Sequence, residues 1–260
     1  MFSDERRDRI LELLQANGRV LAKELADMFD MSIDSIRRDL TIMEEKGLLK
    51  RTHGGAIPSV KVRNPPAPAN ARYEQISPHY DAIAKKAASY IQARDTVFIG
   101  GTGLHYGMLR HLPDVPLTVV TNGMKIADAL KDREQTDVYL VGGKVKASGN
   151  ITDALAYAFV RQFSLDLCFV TGGGISAKGI STATPEVAAF SRAAAEVSRR
   201  TICLAPHNKL GVDFFAKAGP IENVGLLITD EEASIEAIEA IESRGVKVVI
   251  ARPGGGTAEE

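Results

Sequence analysis

Between Val60 and Ala71 the chain sets Pro65, Pro66 and Pro68 among Ala and Asn. Proline removes backbone donors and favours extended chain, so the stretch reads as a linker that no helix or central strand can cross. The expected division is a first unit over 1–58, a linker over 59–76, a larger unit over 77–251 and a disordered tail over 252–260 containing Gly254-Gly255-Gly256. A length of 260 residues has room for two cores. With 45% hydrophobic and 25% charged residues, the chain falls outside the disordered, collagenous and coiled-coil classes. No apolar run reaches the ~18 residues of a membrane helix, and Met1 to Arg7 lack the apolar core of a signal peptide. A cytoplasmic protein with no membrane partner is therefore expected. Cys168 and Cys203 lie inside apolar runs and read as buried free thiols.

The first unit reads as three short helices and a hairpin. Ile10, Leu13 and Leu14 follow helical spacing, and Gly18 is a stop. After an extended Arg19-Val20, a second helix runs from about Leu21 to Asp30 with Leu25, Met28 and Phe29 on one side. Ser32 caps a third, whose Ile33, Ile36, Leu40 and Met43 form one inward stripe. That leaves Asp34, Ser35, Arg37, Arg38 and Thr41 outward. Leu48 to Thr52, His53-Gly54-Gly55 and Ala56-Ile57 make two short strands around a two-glycine turn. Three helices and a basic hairpin describe a winged helix-turn-helix, which places the start of its third helix in the major groove of DNA.

Charge supports this placement. Residues 1–58 hold 10 basic and 11 acidic side chains, yet 31–63 hold 7 basic against 4 acidic. The positive charge is thus gathered on the third helix and the hairpin. Arg37 and Arg38 are assigned to base edges or nearby phosphates, Ser35 and Thr41 to shorter-range contacts beside the cap Ser32, and Lys50, Arg51 and His53 to the DNA backbone. The run Ser32 to Leu40, followed by Glu44, Gly47, Leu48 and Arg51 to Ala56, closely resembles the DNA-binding domain of DeoR-type bacterial transcriptional regulators. That family usually has Thr at the place of Ser35, a change that keeps the hydroxyl.

In the second unit, apolar runs alternate with helical stretches. The strands are Thr96–Ile99, Leu117–Val120, Val138–Val141, Leu167–Val170, Thr201–Leu204, Leu226–Ile228 and Val246–Ile250, and the helices Ile83–Ile91, Ile126–Leu130, Ala154–Phe163, Glu186–Arg200 and Ile235–Ser243. This pattern predicts an α/β, Rossmann-like, mostly parallel sheet covered on both faces, with ligands beyond the strand carboxyl ends. Glycines and small polar residues concentrate there: Gly101-Thr102-Gly103, Thr121-Asn122, Gly142-Gly143-Lys144 and Gly173-Gly174. Such loops can present backbone N–H groups to an anion. No Walker A or complete dinucleotide fingerprint occurs, so no cofactor is expected.

These loops, with Lys209-Leu210-Gly211, resemble the DeoR sensor domain, whose fold is similar to ribose-5-phosphate isomerase and CoA-transferase proteins. The resemblance covers about 83–251 and implies that Gly101, Thr102, Gly103, Thr121, Asn122, Gly142, Gly143, Lys144, Gly173, Gly174 and Lys209 hold a phosphorylated sugar or related metabolite. The chain departs from the family where Ile99-Gly100-Gly101-Thr102-Gly103 replaces an Asp-x-Gly-Thr-Thr loop, and where Pro206 and Ser191 replace a customary Asp and Lys. No Cys/His cluster has metal-ligand spacing. Asp153, Glu186, Asp213 and Asp230 read as surface carboxylates, and His105 and His207 as structural hydrogen-bonders, so catalysis is not expected. The expected protein is a repressor that binds operator DNA as a homo-oligomer under control of a phosphorylated small molecule. The alternative is an isomerase-like enzyme carrying a DNA-tethering module.

Overall fold

The computed structural model describes residues 3–17, 19–58 and 77–254. Gly18, the proposed linker over 59–76 and the tail beyond 254 lie outside the described residues. The chain forms two compact units, Met1–Lys61 and Val62–Glu260.

The first unit contains α1 (Ser3–Asn17), β1 (Val20–Leu21), α2 (Ala22–Phe29), α3 (Ile33–Glu45), β2 (Leu49–Arg51) and β3 (Gly55–Pro58). Its three strands lie in the order β1-β3-β2, antiparallel throughout. Ile36, Leu40 and Met43 of α3 pack with Ile10, Leu14 and Leu25 in one core. Each such burial is worth about 1.5–3 kcal/mol. Two expected core members fall outside it: Ile33 and Met28 are exposed. Ile33 stands in the first turn beside the cap, and Ala22 and Ala26 supply the buried face of α2 with Leu25. Asp39, in turn, is buried on α3.

The hairpin is fastened to the helices. The Ala22 N–H donates to the Gly54 carbonyl (2.8 Å), and Thr52 N–H to the Gly55 carbonyl (3.0 Å). A Cβ at Gly55 would overlap the Val20 carbonyl oxygen, so β1 can lie against β3 only because residue 55 has no side chain.

The second unit is built on a seven-stranded sheet, every pair of which is parallel. Its strands are β4 (Thr96–Ile99), β5 (Leu117–Thr121), β6 (Thr136–Leu140), β7 (Leu165–Val170), β10 (Ser198–Leu204), β12 (Leu226–Asp230) and β13 (Val248–Ala251). They lie in the order β13-β12-β10-β7-β4-β5-β6. The helices are α4 (Pro78–Ala88), α5 (Gly103–Met108), α6 (Met124–Leu130), α7 (Ala154–Val160), α8 (Pro185–Glu196) and α9 (Ile235–Glu242). Two separate apolar clusters, one around Phe98 and Phe190 and one around Phe169 and Ile99, match a sheet covered on both faces.

Two features depart from expectation. A second, antiparallel sheet joins β8 (Gly174–Ser176), β9 (Gly179–Thr182) and β11 (Ala216–Gly219) in the order β11-β9-β8. The long helix ends at Glu196, and 198–200 already belong to β10, where Ser198 pairs with Leu165. No described helix is long and apolar enough to cross a membrane.

Candidate functional site

On α3, Ser32 is the N-cap, its Oγ accepting from the Ser35 N–H (3.2 Å) and lying 2.8 Å from the Ser35 hydroxyl. The predicted outward residues then differ in freedom. Arg37 reaches Asp34 at 3.5 Å. Thr41, half-buried, donates to the Arg37 carbonyl (2.9 Å) and accepts from the Arg51 guanidinium (2.8 Å). The Arg51 N–H donates to Glu44 (2.8 Å), so β2 is tied to α3 twice. Arg38, Lys50 and His53 are exposed. Among the described residues no ion-pair partner of Arg38 or Lys50 is found. The basic face therefore has a wired part, through Ser35, Thr41 and Arg51, and a solvent-facing part at Arg38 and Lys50.

Beneath this face lies an ion pair that the charge count did not single out. Asp39 accepts from Arg6 Nε (2.7 Å) and Arg7 Nε (2.9 Å), with the Asp39 and Arg6 side chains only 4% and 9% exposed. The pair locks α1 to the back of α3. A signal existed in the sequence: Asp39 lies three residues after Ile36 and next to Leu40, on the inward side.

In the second unit the glycine loops meet at the carboxyl edge of the sheet. Thr102 caps α5, accepting from the His105 N–H (3.3 Å). The Gly101 N–H donates to Asn122 Oδ1 (3.1 Å), Asn122 Nδ2 to the Ile151 carbonyl (3.0 Å), and Asn150 Nδ2 to the Gly101 carbonyl (2.7 Å). A Cβ at Gly101 would run into the Asn150 carboxamide and Gly123. Thr121 is fully buried and accepts from the Gly123 N–H (3.1 Å). Thr121, Asn122 and Asn150 thus brace the first loop from behind. Gly103 opens α5. Gly142, Gly143 and Lys144 are exposed, with the Lys144 N–H held by Asp153 (2.9 Å). Asp153 also caps α7 through the Ala156 N–H, and these bonds keep its carboxyl below the usual range. The Gly173 N–H is spent on the Ser181 carbonyl, and Gly174 starts β8, so these two glycines form part of the small sheet. Lys209 closes a short 3-10 turn after β10.

Sequence reasoning missed how the histidines and acids are placed. Asp230 is not a surface carboxylate: it is fully buried and contacts His207 Nδ1 at 2.7 Å. Burial opposes ionisation of Asp230, but the hydrogen bonds from His207 outweigh it and hold the carboxyl below its ordinary range. His79 lies beside the same pair, its ring 5.6 Å from that of His207. Asp213 accepts from Ser176 (2.7 Å) and Lys178 (2.9 Å). These partners are 23 or more residues apart in the chain, so local pattern carries no trace of them. His105 is buried, and desolvation drives its pKa down to about 4, which leaves the ring neutral near pH 7. Cys168 and Cys203 are buried free thiols pushed up to about 12, hence inert. A cavity of about 410 Å³ lies beside α8 and the first residues of β10, and none of the predicted loop residues lines it.

Comparison with known proteins adds the following. The DeoR-like helix-turn-helix domain model matches residues 6–60, and the DeoR C terminal sensor domain model matches residues 78–231. The HTH-type transcriptional regulator GolR of Listeria innocua is 30% identical over 254 residues, spanning 96% of this chain and 100% of its own. The glycerol-3-phosphate regulon repressor of Escherichia coli is 29% identical over 256 residues, 95% of this chain and 99% of its own. Ribose 5 phosphate isomerase A from Neisseria gonorrhoeae aligns over 50% of this chain and 52% of its own at 13% identity, with a TM-score of 0.37.

Proposed function

The chain belongs to the DeoR family of transcriptional regulators, and from that premise we propose how its two units divide the work. It is a DNA-binding repressor, not an enzyme. The first unit reads operator DNA with α3 and the hairpin, and the second binds a small phosphorylated effector at the carboxyl edge of its sheet. The observation that carries the DNA reading is the freedom of Arg38 on a helix whose neighbouring polar side chains are tied to one another. Arg38 reads a base edge, Arg37 an adjacent base or phosphate, and Ser32, Ser35 and Thr41 fix the helix at the groove. Lys50, Arg51 and His53 hold the backbone.

Two substitutions separate these roles. Arg38→Ala is expected to weaken operator binding by ~1–3 kcal/mol and to relax the preference at one base position. Titration by mobility shift against operator variants reads both, and unchanged affinity rejects the base-reading role. Lys50→Ala is expected to weaken every DNA sequence alike and to lower the slope of log affinity against log salt by about 1. A sequence-dependent loss at Lys50 would reverse that assignment.

The effector reading rests on the switch point of the sheet, where ligands of open parallel sheets bind. There Thr102 and Gly103 open α5 and Lys209 supplies positive charge, while Gly101, Thr121 and Asn122 hold the frame. Gly142, Gly143 and Lys144 border it on one side, Gly173 and Gly174 on the other. The relative named for glycerol-3-phosphate supports an organic phosphate. The effector shifts DNA affinity by preferring one state of the regulator, a coupling of ~1–3 kcal/mol. The protein works in the cytoplasm as a homo-oligomer, because paired half-sites need paired readers. A thermal-shift panel of sugar phosphates tests the effector, and sedimentation with operator DNA tests the oligomer. Steady turnover of any panel member would overturn the sensor reading.

A further inference from the structure

Among the described residues, buried polar atoms without a hydrogen-bond partner include Nε2 of His105 and Oγ1 of Thr171 at the carboxyl edge of the large sheet, with Oδ1 of Asn150 beside Gly101. Strand register sets where they lie. Ile99 of β4 pairs with Phe169 of β7, so Gly101 and Thr171 each stand two residues beyond the last pair of these neighbouring strands, and the charge of Lys209 after β10 acts on His105 at the same edge. The chain reverses direction across the sheet at this pair: β4, β5 and β6 proceed one way, β7, β10, β12 and β13 the other. A ligand in an open parallel sheet sits at such a point.

The chemistry of His105 is fixed by its first nitrogen. Nδ1 lies 3.0 Å from the Gly100 carbonyl oxygen. A carbonyl only accepts, so Nδ1 carries the proton, and in a neutral ring Nε2 is then a bare lone pair. Burial keeps the ring neutral, and the positive charge of Lys209 reinforces that. A buried acceptor without a donor is disfavoured, and native proteins leave few of them. An ionised phosphate or carboxylate oxygen cannot satisfy Nε2, since both would be acceptors. A hydroxyl can.

We propose that His105 selects the effector by its hydroxyl groups: Nε2 accepts a hydrogen bond from a ligand hydroxyl, Thr171 Oγ1 makes a second polar contact, and the anionic end of the ligand lies against Lys209. The inference rests on the reading of this edge as the site of a small anionic effector, and it adds the neutral half of the ligand. His105 is a specificity residue here, distinct from the groups that hold charge.

Calorimetric titration of the full chain tests it, with pentose and hexose phosphates, the monodeoxy analogue of each at every hydroxyl, and inorganic phosphate. The unaltered protein is expected to bind its preferred sugar phosphate ~10–100-fold more tightly than one monodeoxy analogue, the effect of leaving one buried acceptor unpaired. His105→Phe keeps an aromatic ring without the acceptor. In that variant the preferred ligand should fall to the level of the analogue, with affinity for the analogue and for inorganic phosphate unchanged. Thr171→Val, read against the same panel, should weaken binding at a hydroxyl and supplies the measurement if the Phe variant does not fold. His105→Phe retaining the full discrimination, or Thr171→Val leaving every affinity unchanged, overturns the proposal and leaves the effector reading standing. If no phosphorylated compound binds the unaltered protein, the effector reading fails and His105 has no such role.

Discussion

Asp39→Ala is expected to unfold the N-terminal unit and with it abolish binding to every DNA sequence. Asp39 is the shared acceptor of Arg6 and Arg7, and the Arg6 side chain is almost as buried as the carboxylate. Removing the acid strands a guanidinium out of water, which costs ~3–5 kcal/mol. A unit of this size holds a small core, and whole domains are stable by only about 5–15 kcal/mol. In a unit at the low end of that range the loss exhausts the margin. Hydrogen exchange on the full chain reads it: protection should collapse across α1 and α3 and persist in the strands of the large sheet. Retained protection in α3 would show that the ion pair is dispensable. The contrast with Arg38→Ala is diagnostic, since that change should alter DNA affinity and leave exchange untouched.

The second large effect is in pH. His105 has its folded pKa lowered from 6.5 to about 4. Above pH 6.5 the ring is neutral both folded and unfolded, and it contributes full stability. As pH falls below 6.5, the unfolded chain takes up a proton that the folded one refuses, so stability declines until about pH 4, where the folded ring also titrates. At 1.36 kcal/mol per pH unit the decline amounts to about 3 kcal/mol. Asp153, Asp166 and Asp230 are held below the ordinary carboxylate range and act mainly below this window. Urea denaturation followed by circular dichroism, repeated between pH 7.5 and 4.5, should therefore show a slope in the parent that His105→Phe flattens. Parallel curves for the two proteins would mean that the ring is not desolvated.

The parts of the molecule written in local pattern were legible in the sequence. Ile36, Leu40 and Met43 mark the inward face of α3 by spacing alone, and the continuous apolar runs mark the strands of the parallel sheet. The glycine loops fall at strand ends because a tight strand-to-helix turn needs them there. Short strands such as Gly174–Ser176 and Gly179–Thr182 have no such signature, being three or four residues long and rich in glycine and serine. The end of α8 falls short of the predicted Arg200 because pairing of Ser198 with Leu165 draws 198–200 into the sheet. The polar wiring was least legible. Arg6 with Asp39, Asn122 and Asn150 with Gly101, and His207 with Asp230 are made by the fold and span 21 to 49 residues.

The pairing of β4 with β7 also sets an order of events in synthesis. Val97 must find Leu167, seventy residues later, before the central pair of the sheet exists. Closing so long a loop is slow, and parallel sheets of high contact order fold late. The first unit, by contrast, closes its core between residues at most 46 apart, Ile10 and Ala56. Each nascent chain should therefore carry a finished reader while its sensor is still incomplete, so that newly made protein can engage DNA before it can respond to a metabolite. The delay between those two moments is set by the translation of β7 and the strands that follow it.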